Sequence, residues 1–252
     1  MTTNGAAPTP LRRPRRQAPA LPALEAHPEG AVRTGVRDRV TEALREALII
    51  GRIQPGRPVT LRGLAEQLGT SPMPVREAIR GLAAERALDV RENGRIAVPR
   101  MTEQRLSEIL KARALLEPVA AALALPRLDR KAAARRLQVI DDAVDASLKD
   151  GDVEAYMRHN HAFHFAIYEA SGSDVFLPLI ESVWLRFGPF MRMVYGRVGT
   201  AGLVDHHKAA VAAIADGNAD ALSEAIRLDI AEGMDLIRDA LVAGAADFAD
   251  PG

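Results

Sequence analysis

The chain lacks cysteine altogether and is poor in aromatic residues, which make up 4% of its 252 residues. The absence of cysteine excludes disulfides, thiolate metal ligands and a cysteine nucleophile. No apolar run approaches the length of a transmembrane helix, and the first residues lack the apolar core of a signal peptide. With 48% apolar and 26% charged residues, the composition predicts a cytoplasmic globular protein without membrane contact.

The few aromatic residues are unevenly distributed. None precedes Tyr156, and nine of the ten lie between Tyr156 and Tyr195. The first half of the chain must therefore build its core from aliphatic side chains. The aromatic stretch of the second half either fills a core or lines a cavity.

Neither sign of charge is in excess over the whole chain, because 33 basic residues balance 33 acidic ones. Residues 31–98 nevertheless carry twelve arginines and eight acidic residues, a net charge of +4. Residues 99–252 carry seventeen basic and twenty-three acidic residues, a net charge of −6. A basic segment joined to an acidic one suits a polyanion-binding module attached to a domain with another task, although a solvated basic face gives the same charge.

Composition and helical periodicity divide the chain into four parts. Residues 1–30 are rich in proline and alanine and predict a disordered tail, which carries an arginine cluster within Arg12–Arg16. Residues 31–98 and 99–244 are the two predicted domains, and residues 245–252 are expected to be frayed.

The first domain shows the order helix, short helix, tight turn, helix and hairpin. A helix over 34–50 is followed by a short helix that Thr60 can cap. The turn at 68–71 then leads into a helix opened by a serine and two prolines. Two β-prone runs flank Asn93-Gly94, the strongest short hairpin signal that a sequence offers. This order predicts a winged helix-turn-helix.

The helix after the tight turn is the predicted DNA-recognition helix. Arg76 and Arg80 lie four residues apart on one face, and an arginine fork can bond guanine O6 and N7 together. The small residues Ser71 and Pro72 let the start of the helix approach the DNA backbone, where helix N–H groups bind phosphate. The other predicted DNA-binding residues are Arg62, Gly94 and Arg95. For any single arginine the alternative is a surface salt bridge, and for Arg80 the two interpretations are evenly supported.

GntR-family regulators have a DNA-binding domain that resembles the segment TLRGLAEQLGTSPMPVREAIRGLAAERAL, from Thr60 to Leu88. The resemblance covers nearly all of the first domain. It implies that Arg62, Arg76 and the wing residue Gly94 contact DNA. Many members have arginine where this chain has Pro72, so the contact made by that arginine is missing here.

After the first domain the pattern is helical nearly to the end. We predict helices over 102–126, 129–149, 151–172, 174–198, 202–217 and 219–243. Their predicted caps are Thr102, Asp129, Asp174 and Asn218. Pro118 should kink the first of these helices or end its first half. The predicted fold class is therefore mainly α, with an N-terminal winged helix-turn-helix and a C-terminal all-α helical bundle.

The second domain is similar to the all-helical effector domain, called FCD, of the FadR branch of the same family. The similarity covers about residues 103–240 and includes RALLEPVAA from Arg113, NHAFH from Asn160 and HKAA from His207. It implies an FCD-like bundle that binds a ligand and forms a dimer.

Four polar residues of this domain are the predicted ligands of a divalent metal ion. Asn160 and His164 are one helical turn apart and share a face, and both side-chain types bind divalent ions. The resemblance adds His207 and Asp229 from later helices and implies Zn, Ni or Mn. The alternative is a bundle interior in which these groups bond only one another or water. Solvated faces are expected for the other histidines of this region, His159, His161 and His206.

Arg113 lies among apolar residues and needs an anion if it is buried. It either pairs with Glu117, one turn away, or binds the carboxylate of a small acidic metabolite, and the two interpretations are equally supported. Arg186, two residues from Trp184, is a further predicted ligand-binding residue. The aromatic stretch would form the wall of such a cavity.

The sequence thus predicts a DNA-binding transcriptional repressor and not an enzyme. A homodimer would present two recognition helices to a pseudo-palindromic operator in double-stranded DNA. An acidic metabolite bound in a metal-containing cavity would change that binding. One alternative is a metal-responsive DNA binder without an organic effector. Another is a metal-dependent hydrolase with Glu117 as its base, which leaves the winged helix unexplained.

Overall fold

The computed structural model describes residues 21–24, 35–198 and 206–243. Within them the N-terminal domain consists of α1 (Val36–Ile49), β1 (Val59–Thr60), α2 (Leu61–Gln67), α3 (Pro72–Ala84), β2 (Asp89–Val90) and β3 (Arg95–Ala97). The second domain consists of α4 (Glu103–Ala124), α5 (Arg130–Asp150), α6 (Val153–Tyr168), α7 (Phe176–Val198), α8 (His206–Asp216) and α9 (Ala219–Val242). The predicted fold class is confirmed. None of the helices in the described ranges is long and apolar enough to cross a membrane.

The N-terminal domain has an aliphatic core, as the absence of aromatic residues requires. Its fully or almost fully buried side chains include Val40, Leu44, Leu48, Leu64, Leu68, Val75, Ile79 and Leu82. Thr60 caps α2, because its side-chain oxygen accepts a hydrogen bond from the N–H of Gly63 at 3.0 Å. Pro72 occupies the first turn of α3, where its missing N–H costs no helical hydrogen bond.

The short sheet forms the predicted wing. Strand β3 lies between β1 and β2 and pairs antiparallel with both, with Ile96 opposite Val59 and Val90. The chain turns between β2 and β3 at Gly94, whose φ of +74° is left-handed backbone that glycine adopts without strain. The hairpin predicted at Asn93-Gly94 is confirmed.

Four residues of the predicted disordered tail are folded onto this domain. Leu21 is buried and its N–H donates to Gln67 Oε1 at 3.1 Å, while the N–H of Leu24 donates to the carbonyl group at the end of α2. The prediction of disorder over 1–30 is wrong at these positions, because the leucines meet an apolar surface that composition cannot reveal. The arginine cluster of the tail and the predicted frayed end at 245–252 lie outside the described residues.

The six helices of the second domain follow the predicted ones to within a few residues, and only the start predicted at 202 lies outside the described residues. Helix α4 packs along α9, and α5 packs against both α6 and α8. Thr102, Asp129 and Asn218 each accept a hydrogen bond from the backbone N–H three residues later. They cap α4, α5 and α9 as predicted.

Two local features of this domain narrow or correct the predictions. Helix α4 continues through Pro118 to Ala124, so the proline does not end its first half, and a kink there stays a prediction. Packing on α9 supports the helix there, and Ser223 of α9 donates its hydroxyl to the Pro118 carbonyl at 3.2 Å. Asp174 does not cap α7. Instead, the hydroxyl of Ser173 accepts a hydrogen bond from the N–H of Phe176, the first residue of that helix, at 3.0 Å.

The two domains pack against each other mainly through α1 and α7. Gly188 of α7 lies so close to Ile49 of α1 that an added Cβ would come within 2.5 Å of the Ile49 carbonyl oxygen. Beside this contact, Glu154 in the first turn of α6 accepts hydrogen bonds from Arg52 of the first domain and from Arg192 of α7. The N-terminal domain is therefore connected to the helical domain by close backbone packing and by charged groups.

Candidate functional site

Three predicted metal ligands converge inside the helical domain from three helices. His164 of α6, His207 of α8 and Asp229 of α9 each offer one ligand atom, and these atoms lie within 4.8 Å of one another. Nε2 of His164 is 3.1 Å from Oδ2 of Asp229, and Nε2 of His207 is 3.8 Å from Oδ1 of the same carboxylate. Both histidines are buried, whereas Asp229 is partly exposed.

Each histidine is oriented by a hydrogen bond at its other ring nitrogen. Nδ1 of His207 lies 3.0 Å from Oδ1 of Asp141, and an ionised carboxylate only accepts. Nδ1 of His164 lies 3.1 Å from the hydroxyl of Tyr168, which donates its own proton to Glu117 at 2.8 Å. Both Nδ1 atoms therefore carry a proton and donate it. In the neutral rings, both Nε2 atoms then present a lone pair.

The consequence is a set of electron-pair donors that face one another. In the neutral ring, the lone pair of His164 Nε2 and the carboxylate oxygen of Asp229 are both acceptors 3.1 Å apart. A proton on Nε2 or a metal ion bound by both atoms satisfies this arrangement. Two imidazole nitrogens and one carboxylate oxygen are a ligand set that Zn²⁺ takes in proteins. Metal-bound histidines typically donate their second N–H to an acceptor, as both rings do here. The residues present therefore fit a divalent metal ion.

The surroundings favour the protonation states that bind a metal. Burial lowers the pKa of His164 in spite of the neighbouring Asp229, so the imidazole is neutral at neutral pH. Burial works against ionisation of Asp229, but His164 in its protonated form, through its charge and a hydrogen bond, outweighs it together with His207 and Arg113. They hold the pKa of this carboxyl well below its usual range, so it is ionised at neutral pH. A neutral imidazole and an ionised carboxylate are the forms that coordinate metals.

A cavity of 120 Å³, called the metal cavity below, opens beside this cluster. His207 and Asp229 line it, as does Asn160, which is buried one turn before His164. Three of the four predicted ligands thus line this cavity, and His164 adjoins them through its contact with Asp229. The charged groups in its wall are the carboxylates of Asp141, Asp145, Asp229 and Glu232 and the guanidinium of Arg113.

The aromatic stretch divides between cavity wall and core. Tyr156 and Tyr195 line the metal cavity, with ring centroids 4.8 Å apart. Phe163 is fully buried and stacks on the ring of His207 at a centroid distance of 3.9 Å. Most of the other aromatic side chains, including Trp184, fill the core.

Arg113 lines the metal cavity but already has a partner. Its Nε and Nη2 donate to the two carboxylate oxygens of Glu117 at 2.6 and 3.1 Å, and both side chains are buried. The guanidinium carbon also lies 4.0 Å from the ring centroid of Phe187. The ion pair allowed by the helical spacing is present, and effector binding by Arg113 stays a prediction. Glu117 does not line the cavity and is bound by Arg113 and Tyr168, which is unfavourable for the base of a hydrolase.

Arg186 lies at the junction of the two domains and not at the metal cavity. Its Nε donates to the carbonyl oxygen of Glu85 at 3.0 Å, and its Nη2 donates to the hydroxyl of Ser182 at 3.2 Å. We expected it in the ligand cavity because it is near Trp184 in sequence. Side chains two residues apart on a helix do not share a face, and this explains its different position.

The expectation of solvated faces is wrong for two further histidines. His161 stacks on Phe165 with ring centroids 4.1 Å apart, and burial lowers the pKa of His161 to about 4. His206 lines the metal cavity, with Nε2 3.3 Å from the carboxylate of Glu232. His159 is half-buried. Helix α6 is covered by α5 and α7 together, so it has less solvated surface than a helix packed on one side.

Sequence reasoning missed the two residues that orient the histidine rings, Tyr168 and Asp141. Tyr168 follows His164 by one helical turn, so the spacing alone could have identified it. Asp141 is on α5, 66 residues from His207, and no sequence spacing signals a contact between two helices.

The predicted DNA-binding residues are all exposed. Within the described part of the chain, neither Arg76 nor Arg80 forms an ion pair, so the salt-bridge alternative for Arg80 is not realised. Arg62 lies 3.0 Å from Glu66, but 88% of its side chain remains exposed. The remaining exposed positions of this set are Ser71, Pro72, Gly94 and Arg95. Their contacts with DNA stay predictions.

Known families and proteins share this architecture. Residues 36–98 match the bacterial regulatory proteins of the gntR family, and residues 108–232 match the FCD domain. The chain is 34% identical to the HTH-type transcriptional regulator McbR of Escherichia coli (strain K12), over 67% of this chain and 76% of that protein. It is 26% identical to a probable D-xylose utilization operon transcriptional repressor of Paenarthrobacter nicotinovorans, over 82% of this chain and 91% of that protein.

The solved structure of E. coli McbR also has this fold. It superimposes with a TM-score of 0.74 at 29% sequence identity, and the match covers 85% of this chain and 100% of the McbR chain. Proteins of this family regulate transcription by binding operator DNA. The two matched domains and the relationship to McbR show that the chain belongs to the GntR family of transcriptional regulators, with a winged helix-turn-helix joined to an FCD domain.

Proposed function

We propose that this regulator is a homodimeric repressor whose operator affinity is set by a small carboxylate-bearing metabolite, bound with a divalent metal ion in the metal cavity. The observation that carries the proposal is the arrangement of His164 and His207. Both rings are buried and oriented through Nδ1, and both direct Nε2 to the carboxylate of Asp229. Such a group of donors is suited to a Zn, Ni or Mn ion.

The residues that would hold the ion are Asn160, His164, His207 and Asp229. When bound, the ion supplies a Lewis acid whose open coordination positions accept a ligand carboxylate. Tyr168 and Asp141 keep the two rings in the required tautomer and orientation. Arg113 adds positive charge to the cavity wall for a ligand anion.

The position of α6 suggests how the cavity influences the DNA-binding domain. This helix carries Asn160 and His164, and its first turn carries Glu154, which binds Arg52 of the N-terminal domain. A ligand that displaces α6 therefore acts directly on the interface between the domains. For the ligand to regulate DNA binding, it must bind one arrangement of the two domains more tightly than the other.

Exposed side chains support DNA binding by a dimer. Arg76 and Arg80 project from α3, and two such helices related by a twofold axis would read the two halves of a pseudo-palindrome. Helix α4 exposes three large apolar side chains at four-residue spacing, Leu115, Val119 and Leu123. An apolar stripe of this kind is typical of a surface covered by a second subunit.

A second candidate function is a metal response without an organic effector. The metal cavity measures only 120 Å³, and four carboxylates in its wall face one arginine that is already paired. A small acidic cavity favours a cation over a large anion. In this case the metal ion alone would change operator affinity.

One experiment separates these functions. The wild-type chain selects its operator from genomic fragments, and the affinity for that DNA is measured with metal-free and metal-loaded protein in the presence of sugar acids and dicarboxylates. A change of about five-fold or more that needs both metal and a carboxylate supports the metabolite-responsive repressor. A change with metal alone supports the second function. Equal affinity under all conditions contradicts both, and the variant His164→Ala should bind DNA without any response.

A further inference from the structure

A second cavity lies at the junction of the two domains, and it shares no wall residue with the metal cavity. It measures 440 Å³ and is formed where the end of α3, the start of α4 and the middle of α7 meet. Three arginines line this junction cavity: Arg86 from the N-terminal domain, and Arg105 and Arg186 from the helical domain. The proposed regulator uses none of them.

Two of the three guanidinium groups are held by backbone carbonyls and not by carboxylates in direct contact. Arg105 Nη2 donates to the carbonyl oxygen of Arg86 at 2.9 Å, and Arg186 Nε donates to the carbonyl oxygen of Glu85 at 3.0 Å. A carbonyl oxygen satisfies a hydrogen bond but leaves the charge in place. Among the described residues, none of the three arginines forms an ion pair. Burial and then the charge of Arg186 lower the pKa of Arg105, and the carboxylates of Asp89 and Glu108 oppose this only in part.

The start of α4 adds to the positive potential of the junction cavity. Thr102, the cap of this 22-residue helix, is part of the cavity wall. The N-terminal end of a helix carries partial positive charge and attracts anions. Glu108 contributes a carboxylate to the wall, and it accepts a hydrogen bond from Gln104 at 3.0 Å. The cavity wall itself thus holds three arginines and one carboxylate, while Asp89 and Glu103 lie nearby.

Arg86 reaches the cavity wall directly after α3 ends. It is the only described residue other than glycine with a positive φ, and its φ is +57°. This left-handed residue terminates the helix, because the N–H groups of Arg86 and Ala87 donate to the carbonyl oxygens of Ala83 and Leu82 at 2.9 Å.

We propose that the junction cavity binds a small phosphorylated metabolite through Arg86, Arg105 and Arg186. Guanidinium groups bind phosphoryl oxygens through paired hydrogen bonds, and three of them suit a group with three such oxygens. A volume of 440 Å³ holds a phosphoryl group with a small organic portion attached. Because the arginines come from both domains, the bound anion holds the domains in one relative position and so adds a second control of operator binding.

The test uses inorganic phosphate and pyrophosphate as probes, with titration calorimetry on the full-length chain at constant ionic strength. Arg86→Asn removes one guanidinium and places at this position a residue that tolerates left-handed backbone, so the variant should fold. Arg186→Gln removes a second one. Each variant should bind the probes at least about ten-fold more weakly than the wild type. The matched control Arg135→Gln, an exposed arginine on α5, should leave probe affinity unchanged.

Three results would overturn the proposal. The first is equal probe affinity in the wild type, Arg86→Asn and Arg186→Gln, or a response that chloride reproduces at the same ionic strength. The second is loss of probe binding in His164→Ala, which would place the anion on the metal of the other cavity. The third combines two observations: the wild type binds neither probe, and Arg86→Asn and Arg186→Gln both bind DNA of random sequence more weakly than the wild type does. The arginines would then contact the DNA backbone.

Discussion

The close contact between α7 and α1 gives a prediction that can be worked out from distances. A Cβ added to Gly188 would lie 2.5 Å from the carbonyl oxygen of Ile49, 3.0 Å from its Cα and 3.0 Å from the carbonyl oxygen of Leu48. All three atoms belong to backbone, so no side chain can rotate away. In Gly188→Ala the helices must separate by at least about 0.9 Å for the closest contact to reach the 3.4 Å of ordinary van der Waals packing.

The free-energy cost of this separation can be isolated with a matched control. Overpacking of a close contact costs about 1–3 kcal/mol, and glycine to alanine in a helix contributes about 1 kcal/mol in the opposite direction. Gly196 lies on the same helix, and a Cβ there would meet nothing within 4 Å. Gly196→Ala therefore gains the helical contribution without the clash. We expect Gly188→Ala to be less stable than Gly196→Ala by about 1–3 kcal/mol.

Urea unfolding followed by circular dichroism measures this difference, and the wild type gives the reference. The variants should keep the same helix content, because the substitution affects the contact between domains and not the helices themselves. If Gly188→Ala proves as stable as Gly196→Ala or more stable, the close packing of α7 on α1 is not present in solution.

Three further predictions concern ion pairs and the DNA-binding surface. The hydrogen bond from Arg52 lowers the pKa of Glu154, so the carboxylate stabilises the fold above its unfolded pKa of about 4.3, and this stabilisation is lost as pH falls through the lower folded pKa. In thermal unfolding from pH 7 to pH 3, Glu154→Gln should be less stable than the wild type at pH 7, and the difference in stability should disappear in acid. A difference that does not change with pH would contradict the ion pair. Glu117→Gln leaves the buried guanidinium of Arg113 without its counter-ion and should lower the free energy of unfolding by about 3–5 kcal/mol, measured with urea; a loss below about 1 kcal/mol would show that Arg113 has another partner. Arg76→Ala should weaken operator binding by about 1–3 kcal/mol with an unchanged melting temperature, and unchanged binding in a fluorescence anisotropy titration would remove Arg76 from the DNA interface.

Much of the fold follows from features that are local in sequence. The hairpin at Asn93-Gly94 and the cap at Thr60 depend on residues within a few positions of one another. The pairing of Arg113 with Glu117 depends on one helical turn. Local periodicity and turn chemistry determine such features, so a single sequence is sufficient to predict them.

Features that depend on contacts between distant elements could not be predicted in this way. Pro118 stays within a continuous helix because α4 is supported by α9. His161 is buried because α6 is covered on two sides. The contact between Asp141 and His207 and the position of Arg186 at the domain junction depend on how helices pack in space. Three of the four predicted metal ligands, His164, His207 and Asp229, do lie together. Family resemblance supplied the two from the later helices, and metal binding itself stays a prediction.

We propose above that the FCD domain holds a metal ion in a site built on His164. The most direct test is the metal content of the untagged protein, determined by elemental mass spectrometry after growth with Zn, Ni and Mn and without chelator. His164→Ala is compared with His159→Ala, which alters a half-buried histidine on the same helix outside the cluster. We expect about one metal ion per chain in the wild type and in His159→Ala, and almost none in His164→Ala. Absence of metal from the wild type, or equal metal content in His164→Ala, would contradict it.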